Sequence, residues 1–522
     1  MSNSSRRDLF WLAALLGLLV CVGLLRPLLP IDETRYASVA WEMWTRGDLL
    51  VPFRNGEPYA HKPPLLFWLM HAGWALFGVN DWWPRLISPL FAAGTLWVCH
   101  RLARLLWPDR PEVARMAPFV LLASFLYTYF ASALMFDAMI AFFAALGWLG
   151  LVQAWKSGGG LSGFLLLTVA MGGALFAKGP VALVHLLPPA LLAPWWMREQ
   201  RPPWRRWYLG VLLAVLGGAA LILAWAVPAA IAGGEAYRNA IFWGQTANRM
   251  VDSFAHRAPW WFYLAYLPLM LAPWLLWPRW WLGLHCGLLA ESGFRFALLG
   301  TLFCLVFFSL VSGKRWHYLL PQFVLFALLA SRALCGSRAP RLSMWVPGLG
   351  VTALGIGAMV AAPRLAARLG GLDDASALTW GGAVAAASGL SLLLLRPSEA
   401  SADVRRIATA TLIGVAALLA AGDVAMREPY DVSVVGAKLA QYQREGRPVA
   451  IEGDYHGQWH LAGRLTQPLP ELPAKEVPAW LAQHPQGRVV YTLRKAESPP
   501  AGTIVEYERR YRGERLLILA AP

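Results

Sequence analysis

Charge is scarce in this chain. Only 15% of its 522 residues are Asp, Glu, Lys or Arg, against 57% hydrophobic, and repeated long apolar runs leave no room for an ordinary soluble core. Cysteine is scarce too. Cys21, Cys99, Cys286 and Cys304 lie in or beside apolar segments, Cys335 lies in a loop, and none has metal-type spacing, which excludes a disulfide framework and a structural zinc site. A Walker-type glycine-rich loop, an HExxH helix, a GxSxG elbow and a Rossmann fingerprint are all missing. Without a nucleotide site, any transfer chemistry has to draw its activated donor from the membrane.

What is present is a series of apolar segments. They predict spans near Leu9–Leu29, Trp82–Trp107, Val113–Ala133, Ala138–Trp155, Leu161–Ala177, Val181–Trp196, Tyr208–Ala232, Trp260–Leu282, Phe294–Val311, Tyr318–Leu334, Met344–Ala362, Leu378–Leu395 and Ile407–Ala421. That is a multi-span α-helical membrane protein of about 13 transmembrane helices, with prolines interrupting some of them. The start, MSNSSRRD, is basic like a signal peptide, but the run behind it is long and lacks a small-residue cleavage site, so it reads as a retained first span.

The formal net charge is +16, yet the arginines sit in short loops where they set topology and face anionic lipid, which argues against nucleic acid as a partner. With Arg6 and Arg7 inside, the inner loops carry Arg101, Arg104, Arg110 and Arg115, then Arg198, Arg201, Arg205 and Arg206, then Arg332, Arg338 and Arg341, then Arg396, Arg405 and Arg406. The same assignment gathers Asp32, Glu33, Lys62, Asp137, Lys178, His256, Arg257, Lys314 and His317 on the outer face.

The stretch Ile31 to Pro64 opens with two carboxylates, Asp32 and Glu33, and closes with Lys62 ahead of a double proline. Tyr36, Val39, Ala40 and Met43 recur at helical spacing, so Thr34 to Arg46 reads as an amphipathic helix on the bilayer surface, with Asp32 placed either as its N-cap or as a functional carboxylate. Leu65 to Phe77 predicts a second helix, too short to cross a core that needs about 20 apolar residues.

Four further segments carry candidates. Asp137 follows an apolar span in ALMFDAMIAF, as an outer-loop cap on the next helix or, since it shares the face of Lys178 and Lys314, as a site residue. Lys178 precedes a Gly-Pro turn and either snorkels or holds a phosphate. His256 and Arg257 precede Pro259 and the interfacial Trp260 and Trp261, and a guanidinium there suits bidentate phosphate binding. In SGKRWHYLLP, Lys314, Arg315, His317 and Tyr318 stand together against the positive-inside trend, which makes this segment the strongest basic candidate for an anionic ligand.

From about Met426 composition changes. Val432 to Gln443 reads as a helix, Pro448 to Glu452 and Arg488 to Leu493 as strands, and Thr503 to Leu519 as a hairpin, giving a small α/β domain over 426–522 behind a membrane domain over 1–425. Its GDYHGQWH segment, Gly453 to His460, reads as a ligand-facing loop or a packed turn, the packed turn being preferred.

The DETRYA segment at Asp32 to Ala37, Tyr59-x-x-Lys62-Pro63, the isolated Asp137, Lys178-Gly179, His256-Arg257 and Lys314-x-x-x-Tyr318 occur in an order that resembles the lipid A aminoarabinose transferases and the bacterial relatives of the protein O-mannosyltransferases. One departure is His61, which stands before Lys62 where the aminoarabinose transferases have an acidic residue. The resemblance implies a GT-C glycosyltransferase that takes a sugar, for instance 4-amino-4-deoxy-L-arabinose, from a polyprenyl (undecaprenyl) phosphate carrier to lipid A or another envelope acceptor. It implies a bacterial inner membrane protein with a periplasmic active site and juxtamembrane helices in the first periplasmic loop, 31–80. By motif, Asp32 would lie at the reacting centre with Glu33 and Arg35 supporting it, and Asp137 would shape the sugar or acceptor site. Lys62 would act near donor or acceptor phosphate, with Tyr59 in the same element. Lys178, Arg257 and its neighbour His256, Lys314 and Tyr318 would hold the carrier phosphate. No cofactor is implied with certainty, and a divalent cation is left open. The alternatives are a protein O-glycosyltransferase of the same fold and a lipid or sugar transporter, although no repeated halves are visible.

Overall fold

The computed structural model describes residues 3–244, 257–369, 372–494 and 497–522. Among them, nine helices are long and apolar enough to cross a membrane, and ten if the bent pair Pro111–Leu122 (α5) and Phe125–Ser132 (α6) is one span. The chain is a multi-span membrane protein. The other apolar segments form shorter pieces: Pro180–Leu191 and Gln322–Leu334 are too short, and the stretch expected as one span from Trp260 becomes Phe262–Met270 and Pro278–Gly283. Proline explains the break, because Pro268, Pro273 and Pro278 each remove a backbone donor from a would-be helix.

Helix α1 spans Asn3–Leu25 and leads into α2, Asp32–Arg46, whose Tyr36, Val39, Ala40 and Met43 are all buried as their spacing requires. A two-residue hairpin follows, β1 Phe53–Arg54 and β2 Glu57–Pro58, and then α3, Leu65–Phe77. Helices α4 (Trp82–Leu106), α7 (Phe136–Lys156) and α8 (Leu161–Lys178) pack side by side. Tight approach between α7 and α8 is possible because Gly150 and Gly163 face each other's backbones: a Cβ at Gly163 would lie 2.4 Å from Ala154 N.

Ion pairs bind the arginine-rich side of the bundle. Asp8 pairs with Arg115 at 2.7 Å and Arg405 at 2.6 Å, Arg279 with Asp403 at 2.7 Å, and Glu291 with Arg332.

The long helix Ala400–Tyr430 carries straight through the compositional change near Met426, so the C-terminal unit proper begins with helix Ser433–Arg444. Its five-stranded sheet has the order β4-β3-β5-β7-β6, with β3 Val449–Glu452, β4 Glu471–Leu472, β5 Arg488–Leu493, β6 Ile504–Tyr511 and β7 Glu514–Ala520. Strand β3 runs parallel to β4 and β5, while β6 and β7 form the expected hairpin. The unit is fixed to α2, where Trp41 Nε1 donates to Leu465 O at 2.7 Å.

Candidate functional site

The first turn of α2 carries Asp32 and Glu33, and the two carboxylates have opposite fates. Glu33 is buried. It takes Arg26 Nη2 at 2.5 Å and the backbone N–H groups of Leu29 and Leu134 at 2.9 Å each, so its acceptor capacity is used in joining the α1–α2 turn to the α6–α7 loop. Asp32 is about half exposed and pairs at close range with Arg35, three residues on. Ile31, not Asp32, is the N-cap residue, and Asp32 occupies the first helical position. Its carboxylate stays available where the helix dipole favours negative charge.

Phe136 joins this helix to the rest of the cluster. Its ring meets Tyr36 edge-on at 4.9 Å and Phe67 of α3 at 5.8 Å, and Lys62 Nζ lies 5.9 Å from its centroid. Tyr59, buried, donates its N–H to Pro52 O at 2.7 Å and stacks on His61 at 5.1 Å. Tyr36 is held far above the usual phenol pKa by burial first and then by the negative charges of Asp32 and Asp137 and by Tyr59, with the Arg35 guanidinium, 5.5 Å from its ring, acting the other way.

Asp137 follows Phe136 directly and is buried in the first turn of α7, with Met135 as the N-cap residue. Its partner is Lys178, whose Nζ stands 2.6 Å from Asp137 Oδ1 at the far end of α8. Gly179, at φ +75°, ends α8 there as the sequence turn predicts. The same ammonium lies 5.2 Å from the Tyr318 ring, and His317 packs on Phe130 at 5.4 Å. Burial first, then the positive charges of Lys178, Arg315 and Lys62, push the His317 imidazole down to about 4, with Asp137 acting the other way.

The predicted site residues therefore divide. Asp32, Arg35, Tyr59, Lys62, Asp137, Lys178 and Tyr318 form one connected cluster. Lys314 is buried where its loop meets the one before Pro259, donating to Ala258 O at 2.9 Å and Val311 O at 2.6 Å beside the Arg257–Gly313 bridge. Those carbonyls take two of its three N–H groups. Arg257 is exposed at the edge of this loop, and His256 lies outside the described residues. A crevice of about 100 Å³ lined by Thr34, Ala37, Arg85 and Asp431 shares no residue with the cluster.

Sequence reasoning passed over Arg26, which lies inside an apolar run. A lone guanidinium there was itself a signal, because intramembrane charge needs a partner, and that partner is Glu33. Among the described residues no three His, Cys, Asp or Glu side chains converge in a way that could hold a metal ion.

The family model for dolichyl-phosphate-mannose-protein mannosyltransferase matches residues 61–231. The chain is 31% identical over 343 residues to the undecaprenyl phosphate-alpha-4-amino-4-deoxy-L-arabinose arabinosyl transferase 2 of Pseudomonas fluorescens, covering 61% of this chain and 59% of that one. It is 32% identical over 351 residues to the corresponding transferase of Edwardsiella ictaluri, covering 63% and 60%. The chain thus spans about three fifths of the length of these curated relatives. The crystal structure of ArnT from Cupriavidus metallidurans bound to undecaprenyl phosphate superposes with a TM-score of 0.78 at 19% identity, over 98% of this chain and 99% of that one. The fold is that of ArnT, of the GT-C type.

Proposed function

We propose that this chain is a membrane glycosyltransferase that moves a sugar from a polyprenyl-phosphate carrier to lipid A or another cell-envelope acceptor. The single observation that carries the reading is the cluster itself: a half-exposed carboxylate, Asp32, shares one connected neighbourhood with Lys62 and with the buried Asp137–Lys178 pair, at the end of the bundle away from the arginine-rich ion pairs. The names of the curated relatives, which specify undecaprenyl phosphate and 4-amino-4-deoxy-L-arabinose, support the same class of donor and sugar.

In this reading the chain sits in the bacterial inner membrane with the cluster on the periplasmic side, as the arginine distribution supports. The C-terminal α/β unit lies on that side too. Breaking a sugar–phosphate bond leaves negative charge on the carrier phosphate, so cations have to stand where that charge develops. Lys62, half-buried 5.9 Å from the Phe136 ring that packs on Tyr36 of α2, supplies an ammonium there, and Arg257 supplies an exposed guanidinium at the lipid surface for the same phosphate. Asp32 either accepts the proton of an attacking hydroxyl or, with a phosphate acceptor, stabilises positive character on the sugar. Asp137 and Lys178 present a fixed dipole to the sugar, with Tyr318 beside it. Glu33 acts as a positioning residue through its bonds to Leu29 and Leu134.

The match to the mannosyltransferase family model over 61–231 favours one second reading, a protein acceptor in place of a lipid. Reconstitution in liposomes with an undecaprenyl-phosphate-linked sugar tests the proposal. Acceptor-dependent release of undecaprenyl phosphate by the wild type and its loss in Asp32→Asn is the expected result, and release that persists in Asp32→Asn refutes the assignment of that residue.

A further inference from the structure

The β1–β2 hairpin and the loop after β3 meet over one face of α2. Arg35, Ser38 and Glu42 share that face, three and four residues apart. Gly457 lies directly on Ser38. A Cβ at Gly457 would fall 2.4 Å from Ser38 Oγ, and its backbone takes φ +84°, so only glycine fits. Gly56 N donates to Glu42 Oε1 at 2.8 Å, and Asn55 both donates to Leu469 O at 2.8 Å and accepts from Leu469 N at 2.7 Å. These contacts fix the backbone on either side of two polar side chains, Arg54 and His456.

Arg54 Nη1 stands 3.5 Å from His456 Nδ1, and both residues are half-buried. A guanidinium only donates, so Nδ1 is the acceptor and the neutral ring carries its proton on Nε2. Among the described residues Arg54 forms no ion pair. Burial first, and then the positive charges of Arg54 and Arg35, hold the imidazole below its usual value, with Asp454 and Glu471 acting in the opposite direction. A fixed cation and a second N–H donor are thus gathered beside Ser38, about one helical turn along α2 from Arg35 and nearly two from Asp32. Tyr455 and Trp459 on the same loop are packed inward and stacked at 5.4 Å, so the loop is rigid where it presents His456. The loop is therefore a packed turn with one outward-facing imidazole.

We propose that Arg54 and His456 form an anion-recognising acceptor subsite that takes the phosphate monoester of a phosphorylated glycolipid and sets it beside Asp32. The proposal rests on the glycosyl-transfer reading above. A guanidinium fork and a neighbouring N–H suit a phosphate with several acceptor oxygens. The C-terminal unit then contributes directly to substrate choice, and the hairpin, which holds Arg54, fixes the distance to α2.

The test uses full-length protein in nanodiscs, as wild type, Arg54→Gln and His456→Phe, with binding measured for three lipids: bisphosphorylated lipid A, the same lipid A after dephosphorylation, and undecaprenyl phosphate. Each variant is expected to bind bisphosphorylated lipid A about 10-fold more weakly, while its binding of the other two lipids changes less than about two-fold. Equal losses for all three lipids overturn the subsite in favour of a packing role. A loss confined to undecaprenyl phosphate overturns it in favour of the carrier phosphate. Variants that still prefer the phosphorylated acceptor as the wild type does overturn it while leaving the glycosyl-transfer reading intact. A wild type that binds none of the three lipids and transfers no sugar overturns both.

Discussion

Asp137 Oδ1 and Lys178 Nζ stand 2.6 Å apart, with both side chains mostly removed from solvent, at the facing ends of α7 and α8. Neither charge has bulk water to stabilise it, so each holds the other in place. Their position beside Tyr318 makes the pair a fixed dipole within the cluster, and it also locks the two helices in register.

Removing one member leaves the other charge buried and uncompensated. Asp137→Asn and Lys178→Met are each expected to destabilise the protein by about 3 kcal/mol, and the double variant by less than the sum of the two. Thermal unfolding of the detergent-solubilised protein checks this. Additive losses would show that the two groups do not depend on each other.

Glu33 and Asp32 are neighbours with different work. Glu33→Gln is expected to lower the turnover rate at least 10-fold through misplacement of the first turn of α2, while binding of undecaprenyl phosphate changes less than about three-fold. Arg26→Met should reproduce the effect, since it strands the same carboxylate. Comparing the rate with carrier binding in each variant separates positioning from phosphate contact.

Lys314 donates to two backbone carbonyls, whereas Lys62 stands against Phe136 in the cluster. Lys62→Gln is therefore expected to weaken undecaprenyl phosphate binding about 10-fold or more, and Lys314→Gln less than about three-fold. Binding measured in the same nanodiscs for both variants decides it, and the reverse order would return the carrier phosphate to the Lys314 loop.

The C-terminal unit should respond to acid through His460. This ring is buried, accepts or donates at 2.8 Å to Tyr455 OH, and has its pKa pushed from 6.5 down to about 4, by burial above all. The folded state binds the proton less well than the unfolded one, so the stabilisation is complete above pH 6.5 and is lost as pH falls toward 4, by up to about 3 kcal/mol. The fluorescence of Trp459, which stacks on Tyr455, should report unfolding of this unit at lower denaturant at pH 4.5 than at pH 7. The pH difference should shrink in His460→Gln.

Much of this was legible in the sequence. The helix over Thr34 to Arg46 and the short helix Leu65–Phe77 appear where the apolar spacing puts them, but α2 does not lie open on a surface: Ser38 and Glu42 on its polar face are buried as well, under the hairpin and the loop after β3. The hairpin and the two longer C-terminal strands also follow local pattern. What local pattern does not encode is which polar groups meet across the bundle. Asp137 and Lys178 are 41 positions apart, and only the packing of α7 on α8 brings them together. The positive-inside rule reports the side on which Lys314 lies and says nothing about the direction of its ammonium, so the lysine of the segment that looked strongest by charge bonds to backbone carbonyls, Val311 O of its own segment and Ala258 O of the loop before Pro259. The bend of 68° between α5 and α6, read as one span, comes from a break that hydropathy does not register.

The central claim is that the Asp32 cluster carries out sugar transfer to an envelope acceptor. Mass spectrometry of lipid A from cells carrying the intact gene, a deletion, and an Asp32→Asn copy tests it most directly. A sugar-sized mass increment present with the intact gene and missing from both other strains is the predicted result. The same increment in the Asp32→Asn strain would contradict the role of Asp32, and identical lipid A in all three strains would contradict lipid A as the acceptor.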